Sequence, residues 1–211
     1  MTNGGNLAMK SHFTFSLFTT GLIKKFIYSL LCILALTFLV TPALAATATT
    51  TVDSNGDVGE ETSLVLNSKG FPVISYLDGT KGDLKVAICG NVTCSAGNII
   101  TTVDSIGDVG TYTSLALNAS GFPVISYYDF TNNDLKVAVC GNTTCSAGNT
   151  ITTVDSTGDV GLYTSLTLNN NDFPIISYYD FTNNDLKVVI CGNVTCSTSN
   201  AITTIRNVSM I

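Results

Sequence analysis

From Tyr112 to Val154 apolar and polar residues alternate with a period of two, in four short runs separated by turn chemistry. The first run, Tyr112–Asn118 (YTSLALN), puts Leu115 and Leu117 on one face. A Ser-Gly turn leads to Phe122–Tyr128 (FPVISYY), where Pro123 is tolerated because a missing N–H matters little near the start of a strand. Asn132-Asn133-Asp134 then turns the chain into Leu135–Cys140 (LKVAVC), which sets Leu135, Val137 and Val139 against Lys136 and Ala138. Thr150–Val154 (TITTV) closes the set. The runs are rich in β-branched and aromatic residues, and no stretch after Ala46 has a helical period. This predicts an all-β protein.

The pattern is written three times. Thr101–Ile151 and Thr152–Ile202 agree at 38 of 51 positions without a gap, and Thr50–Ile100 aligns to both without insertion or deletion. Such self-similarity marks an array of one supersecondary unit that buries its apolar faces by stacking on its neighbours. Four antiparallel strands in about 50 residues is the size of one β-propeller blade. The second run agrees, since Val124 and Tyr128 stand on one face and Ile125 and Tyr127 on the other, as in a sheet covered on both sides.

The expected fold is therefore three tandem four-stranded antiparallel β-propeller-type blades, over residues 50–100, 101–151 and 152–202 of a β-repeat domain at 46–211. A β-trefoil-like three-fold closure is the alternative. Closed propellers take four to eight blades, so three leave two faces uncovered. If each exposes roughly 500 Å² of apolar surface, about 12 kcal/mol of burial per face is forgone. That cost favours self-association, such as two chains making six blades, or a fragment of a longer array. The run Thr49–Asp53 also reads as a fourth strand without its own blade.

Residues 1–45 read as a leader. Lys24-Lys25 precede the apolar run Phe26–Val40, Thr41-Pro42 breaks any helix, and Ala43-Leu44-Ala45 offers a small-x-small cleavage pattern. An uncleaved signal anchor is the alternative, although the apolar run is shorter than the roughly 20 residues that span a bilayer. Membrane contact is expected only through this segment, and the repeats are expected to be secreted, periplasmic or at the cell surface. Beyond Ala45 six cations face fifteen carboxylates, a net charge of −9. So acidic a surface cannot neutralise a row of phosphates, which argues against nucleic acid. The only histidine, His12, lies in the leader, so the repeats have no Ser-His-Asp or Cys-His pair.

Six cysteines fall in three equivalent pairs: Cys89 and Cys94, Cys140 and Cys145, Cys191 and Cys196. Each pair brackets Gly-Asn-x-Thr. Repetition favours one disulfide within each copy over a thiolate metal site, because two sulfurs per copy would leave an ion half-coordinated. Neither a metal nor a cofactor is expected. Asp53-Ser-Asn55-Gly-Asp57 with Glu61 has oxygen ligands spaced as in a calcium loop. The other copies place Ile106 and Thr157 at the third position, so an Asx-type turn is preferred. Asn91, Asn142, Asn193, Asn118 and Asn207 stand in glycosylation sequons, which Asn-rich turns also generate by chance.

The candidate ligand-binding residues are Tyr76 and Asp78 in the first copy, Tyr127, Tyr128 and Asp129 in the second, and Tyr178, Tyr179 and Asp180 in the third. An aromatic face beside a carboxylate suits a sugar, the ring stacking on C–H groups and the acid accepting from hydroxyls. The competing reading packs the tyrosines between sheets and uses the aspartates to hold the turn that follows. Asp57, Asp108 and Asp159 recur as well, but equivalent carboxylates do not separate an acid from a base, so no catalytic residue is assigned. The runs VGTYTSLALNASGFPVISYYDFTNNDLKVAVC and VGLYTSLTLNNNDFPIISYYDFTNNDLKVVIC resemble the blades of sialidase-like (BNR-type) β-propeller repeat proteins secreted by microbes. That resemblance implies the blade fold and no particular activity. Sialidase-type propellers hold a substrate carboxylate with an arginine cluster, and beyond the leader this chain has only Arg206. The expected function is a non-catalytic binding or adhesion module, with a glycan or cell-surface protein as partner. The alternatives are a structural or assembly module without its own ligand and, less favoured, a glycoside hydrolase.

Overall fold

A computed structural model describes residues 49–205. The leader, and with it the cleavage or anchoring expected there, lies outside the described residues. Twelve strands form three separate antiparallel sheets, each a simple meander. The first is β1 (Val58–Leu66), β2 (Pro72–Asp78), β3 (Asp83–Ile88) and β4 (Ile99–Asp104). The second is β5 (Val109–Leu117), β6 (Pro123–Asp129), β7 (Asp134–Val139) and β8 (Thr150–Asp155). The third is β9 (Val160–Leu168), β10 (Pro174–Asp180), β11 (Asp185–Ile190) and β12 (Ala201–Ile205). The all-β expectation holds. The last strand of each sheet runs past the boundary between copies of the sequence repeat, β4 crossing residue 100 and β8 residue 151. No closed ring or trefoil-like closure is present among the described residues.

Local chemistry explains each turn. The Asn118 carboxamide oxygen accepts from the amides of Ser120 and Phe122, bending β5 back into β6, and Asn67 and Asn169 do the same in the other sheets. The disulfides close within each copy, Cys89 with Cys94, Cys140 with Cys145 and Cys191 with Cys196, each across a Cα–Cα distance of 4.8 Å. One feature of these clips departs from an ordinary turn at a strand end. The second cysteine of each pair takes a left-handed backbone, with φ 52° at Cys94, 53° at Cys145 and 53° at Cys196. The tight bend requires it, because the amides of Cys94, Cys145 and Cys196 donate back to the carbonyls of Asn91, Asn142 and Asn193. The side chains of the same asparagines accept from the amides of Thr93, Thr144 and Thr195, so three of the sequons are turn-building elements. Three disulfides are compatible with an extracellular location.

The first strand of each sheet begins earlier than the alternation indicates, at Val109 where the pattern starts at Tyr112. A bulge causes this. The β5–β6 register slips between Val109 and Ser114, and the bulge holds Tyr112 at φ 54°. The same bulge places Glu61 at 51° and Tyr163 at 55°.

The sheets stack in chain order, β1 and β2 against β5, and β5 and β6 against β9. Val73, Leu84 and Val86 of the first sheet meet Val109, Ile125 and Tyr127 of the second. The same positions 51 residues on, Val124, Leu135 and Val137, meet Val160, Ile176 and Tyr178 of the third. Among the described residues nothing covers the two ends of the stack. Leu135 is fully buried whereas its counterpart Leu186 is 50% exposed, and Leu115 is 5% exposed whereas Leu64 is 56% exposed.

Candidate functional site

A buried polar network recurs in every copy, and it spans the joints between copies. Lys136 lies on β7, in a strand covered on both sides. Its ammonium sits 3.3 Å from Asp104 of the first sheet and 3.0 Å from Asp129 of its own. The Tyr127 hydroxyl donates to the same Asp104 oxygen at 2.6 Å. In the third sheet Lys187 bridges Asp155 and Asp180 while Tyr178 donates to Asp155. A bulge in the β3–β4 ladder and its counterpart between β7 and β8 turn these aspartates toward the following sheet.

The first copy repeats the arrangement without a preceding sheet. The strand expected at Thr49–Asp53 does not form, since among the described residues there is no preceding sheet for it to pair with, yet Asp53 accepts from Tyr76 and Lys85, each at 2.7 Å. Asp53, Asp104 and Asp155 also accept from the amides of Asn55, Ile106 and Thr157, so the loop with calcium-like spacing is an Asx turn in all three copies. Here the copies differ in one respect. Asn132 and Asn183 donate to Asp129 and Asp180 through their side chains, whereas Lys81 occupies that place in the first copy. One Asp78 oxygen is left without a hydrogen bond, with the Lys85 ammonium 3.5 Å away.

Most of the predicted ligand residues belong to this interior. Tyr76, Tyr127, Tyr178, Asp78, Asp129 and Asp180 are buried, and their polar atoms serve the network and the turns that follow β2, β6 and β10. Tyr128 and Tyr179 lie on the other side of the strand. Tyr128, itself buried, shares its one hydroxyl proton between the side-chain oxygens of Asn133 and Asp159, each at 2.8 Å. Tyr179 donates to Asn184 and is half-exposed.

These two tyrosines join four rings absent from the predicted set. Tyr112 and Tyr163, on the bulges of β5 and β9, approach to 4.4 Å between centroids. Tyr112 lies 6.3 Å from Tyr128, and Tyr163 lies 6.3 Å from Tyr179. Phe130 and Phe181 meet Tyr128 and Tyr179 edge-on. The result is an aromatic row, Phe130–Tyr128–Tyr112–Tyr163–Tyr179–Phe181, crossing the second and third sheets. Phe130, Tyr163 and Phe181 are 60%, 64% and 57% exposed. The first sheet interrupts it with Glu61, Leu77 and Gly79. A Tyr at positive φ is strained, by about 1–3 kcal/mol, where Asn or Gly is not.

Charge regulation follows from the same geometry. Burial and the adjacent Asp104 and Asp129 push the Tyr127 hydroxyl far above its ordinary 10.0, and Tyr76 and Tyr178 behave alike. Burial, then Asp159, does the same to Tyr128. Tyr112 is pushed up to about 12, first by the Tyr163 hydroxyl and then by burial. Burial opposes the charged form of Lys136, but Asp129 and Asp104 outweigh it and raise its pKa; Lys187 is raised likewise. Burial also opposes ionisation of Asp129, Asp155 and Asp180, yet hydrogen bonds from Asn132, Tyr178 and Asn183, with the lysines, hold them low. Burial works against Asp53 too, but Lys85 and Tyr76 overcome it and hold the carboxyl at about 2. Asp83 and Asp134 move the other way, raised by burial and by Asp78 and Asp129.

Groups raised on folding stabilise below their unfolded pKa and lose that contribution as pH rises, so the tyrosines and lysines predict steep loss above about pH 10. The depressed aspartates stabilise above their unfolded values and lose this as pH falls below about 4. Asp83 and Asp134, being raised, partly offset the acid limb. Melting temperature against pH should show a plateau bounded by these two falls, with the alkaline one steeper. A melting temperature unchanged between about pH 9 and 11 would contradict the buried tyrosine–aspartate contacts.

The geometry defines an all-β protein of three stacked four-stranded sheets, with a polar network buried in an otherwise apolar interior and one aromatic row. The chain matches no protein-family model and no curated protein.

Proposed function

We propose that the protein is an exported, non-catalytic binding module built of β-propeller-type blades, with the aromatic row as its ligand surface and glycans as the ligand class. One observation carries this reading: two tyrosines are kept at a strained backbone position where they extend an aromatic row that is exposed at Phe130, Tyr163 and Phe181. The bulge fixes the positive φ in all three copies and presents the Glu61 and Tyr112 carbonyls to the next sheet, but it does not require a bulky ring. Placing tyrosine there, where Asn or Gly would relieve the strain, points to use of the ring. Rings on this edge offer stacking surfaces for sugar C–H faces, and Asp159, Asn133 and Asn184 lie among them as acceptors. The sialidase-like blade pattern agrees with a secreted sugar-facing module, without that family's arginine-based chemistry. Single-site affinity is expected near millimolar, with avidity where a ligand spans both sheets.

The test combines Tyr112→Asn with Tyr163→Asn. Asn accepts positive φ, so thermal stability should hold or rise while binding falls at least about tenfold on a glycan array and by calorimetry. A wild-type protein silent in both assays removes the glycan reading. Binding that survives the double substitution moves the site away from the row.

A further inference from the structure

We infer that the bare outer face of the third sheet is built to receive the bare outer face of the first sheet of a second copy, giving a closed head-to-tail dimer of six sheets. The inference is independent of the ligand reading and rests on the two joints already inside the chain. At each joint the same residues meet, 51 positions apart, and the outer faces of the first and third sheets carry one half each of a third such joint.

The apolar fit comes first. Leu84 and Leu135 each lie against a glycine of the next sheet: a Cβ on Gly110 would stand 2.8 Å from the Leu84 Cα, and one on Gly161 would stand 2.7 Å from the Leu135 Cα. Their counterparts are the half-exposed Leu186 and Gly59, which has nothing within 4 Å of a Cβ. Beside Gly59 opens a cavity of about 230 Å³ lined by Val58, Ile74, Tyr76 and Ala87. At the internal joints the equivalent residues Val109, Ile125, Tyr127 and Ala138 are buried under Val73, Leu84 and Val86. Ile175, Leu186 and Val188 of the third sheet are the matching set.

The hydrogen bonds match too. Ser75 and Ser126 meet Thr113 and Thr164 at 2.8 and 2.6 Å, which leaves Ser177 for Thr62. The amides of Leu115 and Leu166 donate to Ser63 and Ser114, leaving Ser165 for Leu64. The amides of Val109 and Val160 donate to the carbonyls of Gly82 and Asn133, leaving Asn184 for Val58. Polar groups in this register select one alignment of the faces, which bare apolar surface alone would not.

The N-terminal segment decides one detail. Val103 and Val154 help fill the internal joints, and at the new joint Val52 of the receiving copy and Ile205 of the donating copy compete for that place. Val52 prevails, because the next residue, Asp53, is paired with Lys85. After Ile205 the sequence has Arg206 where the internal joints have Asp104 and Asp155, so the donating copy supplies no carboxylate for Lys85. The ladder through Ile205 also lacks the bulge that turns Asp104 and Asp155 across. In a ring of six sheets each steps by about 60°, so three sheets supply half of it and two copies close with no bare face remaining.

Analytical ultracentrifugation of the protein produced from the full chain should give a dimer that does not grow on concentration. Leu186→Asp should give a monomer with unaltered circular dichroism, while Ile106→Asp, at an exposed loop position outside the joint, should stay dimeric. Thr62→Cys combined with Ser177→Cys should yield a covalent dimer on oxidation that reductant releases. A monomeric wild type at high concentration, growth into open filaments, or a cysteine pair that forms no link between copies would each overturn the proposal.

Discussion

Exchanging Lys136 for methionine is expected to lower the unfolding free energy by about 3–5 kcal/mol, the range for removing one partner of a buried ion pair. The side chain is only 12% exposed and is shared between Asp104 and Asp129, which are 2% and 0% exposed. Methionine fills the space of the lysine stem but leaves two carboxylates facing each other without a cation. Neither is easily solvated, and Asp104 also carries the Tyr127 hydroxyl. The pH dependence distinguishes this cause from lost packing. Without the lysine, burial and the facing Asp104 carboxylate push Asp129 upward, so protonation offsets part of the loss and the deficit shrinks as pH falls toward about 4. Urea titrations at neutral pH and near about pH 4.5 read both quantities. A loss below about 1 kcal/mol, typical of solvated surface pairs, would show that water reaches this lysine.

The second large effect is expected at the sheet-to-sheet approach. Gly110→Ala should cost about 1–3 kcal/mol more than Gly59→Ala, the overpacking range, although the two glycines are equivalent in sequence. Both have positive φ, 98° and 95°, so alanine meets similar backbone strain at each. Only at Gly110 would the new methyl strike Leu84 backbone, and Gly161→Ala should behave like Gly110→Ala against Leu135. The comparison is made by urea unfolding in the Leu186→Asp background, which keeps Gly59 free of a partner sheet. Equal costs at the two sites would mean that the first two sheets do not approach as closely as this packing requires.

These expectations separate what was legible in the chain from what was not. The strands were legible because a two-residue alternation is a local property, and turn residues such as Asn118 and Asn132 act within a few positions of themselves. The disulfides were legible because six cysteines in three equivalent pairs leave a local bond as the economical pairing. The left-handed backbone at Cys94, Cys145 and Cys196 was not, since a cysteine carries no preference for positive φ and the bend that demands it is set by the closed clip. The role of Lys136 was hidden as well. In a strand it reads as the polar half of an alternation, and only a neighbour on each side makes that half an interior. Asp53, Asp104 and Asp155 read as loop residues for the same reason, since their partners lie 23 and 32 positions ahead in the chain. Their recurrence every 51 residues together with a lysine inside an apolar run was the available signal.

The candidate site divides along the same line. Tyr127 and Tyr128 were legible as a recurring aromatic pair, but adjacent strand residues point to opposite faces. Which tyrosine faces the network and which joins the aromatic row follows from the stacking direction. Tyr112 and Tyr163 could not be assigned from alternation at all, because the bulge that turns them outward breaks the period. By itself, then, the sequence determined the four-strand unit, its threefold repetition and its disulfide clips, all set by interactions among residues near one another in the chain. The tertiary structure alone decided which polar residues became interior, which rings formed the edge and which two faces stayed bare. Those properties depend on what lies across a sheet, and one strand carries no record of its neighbour.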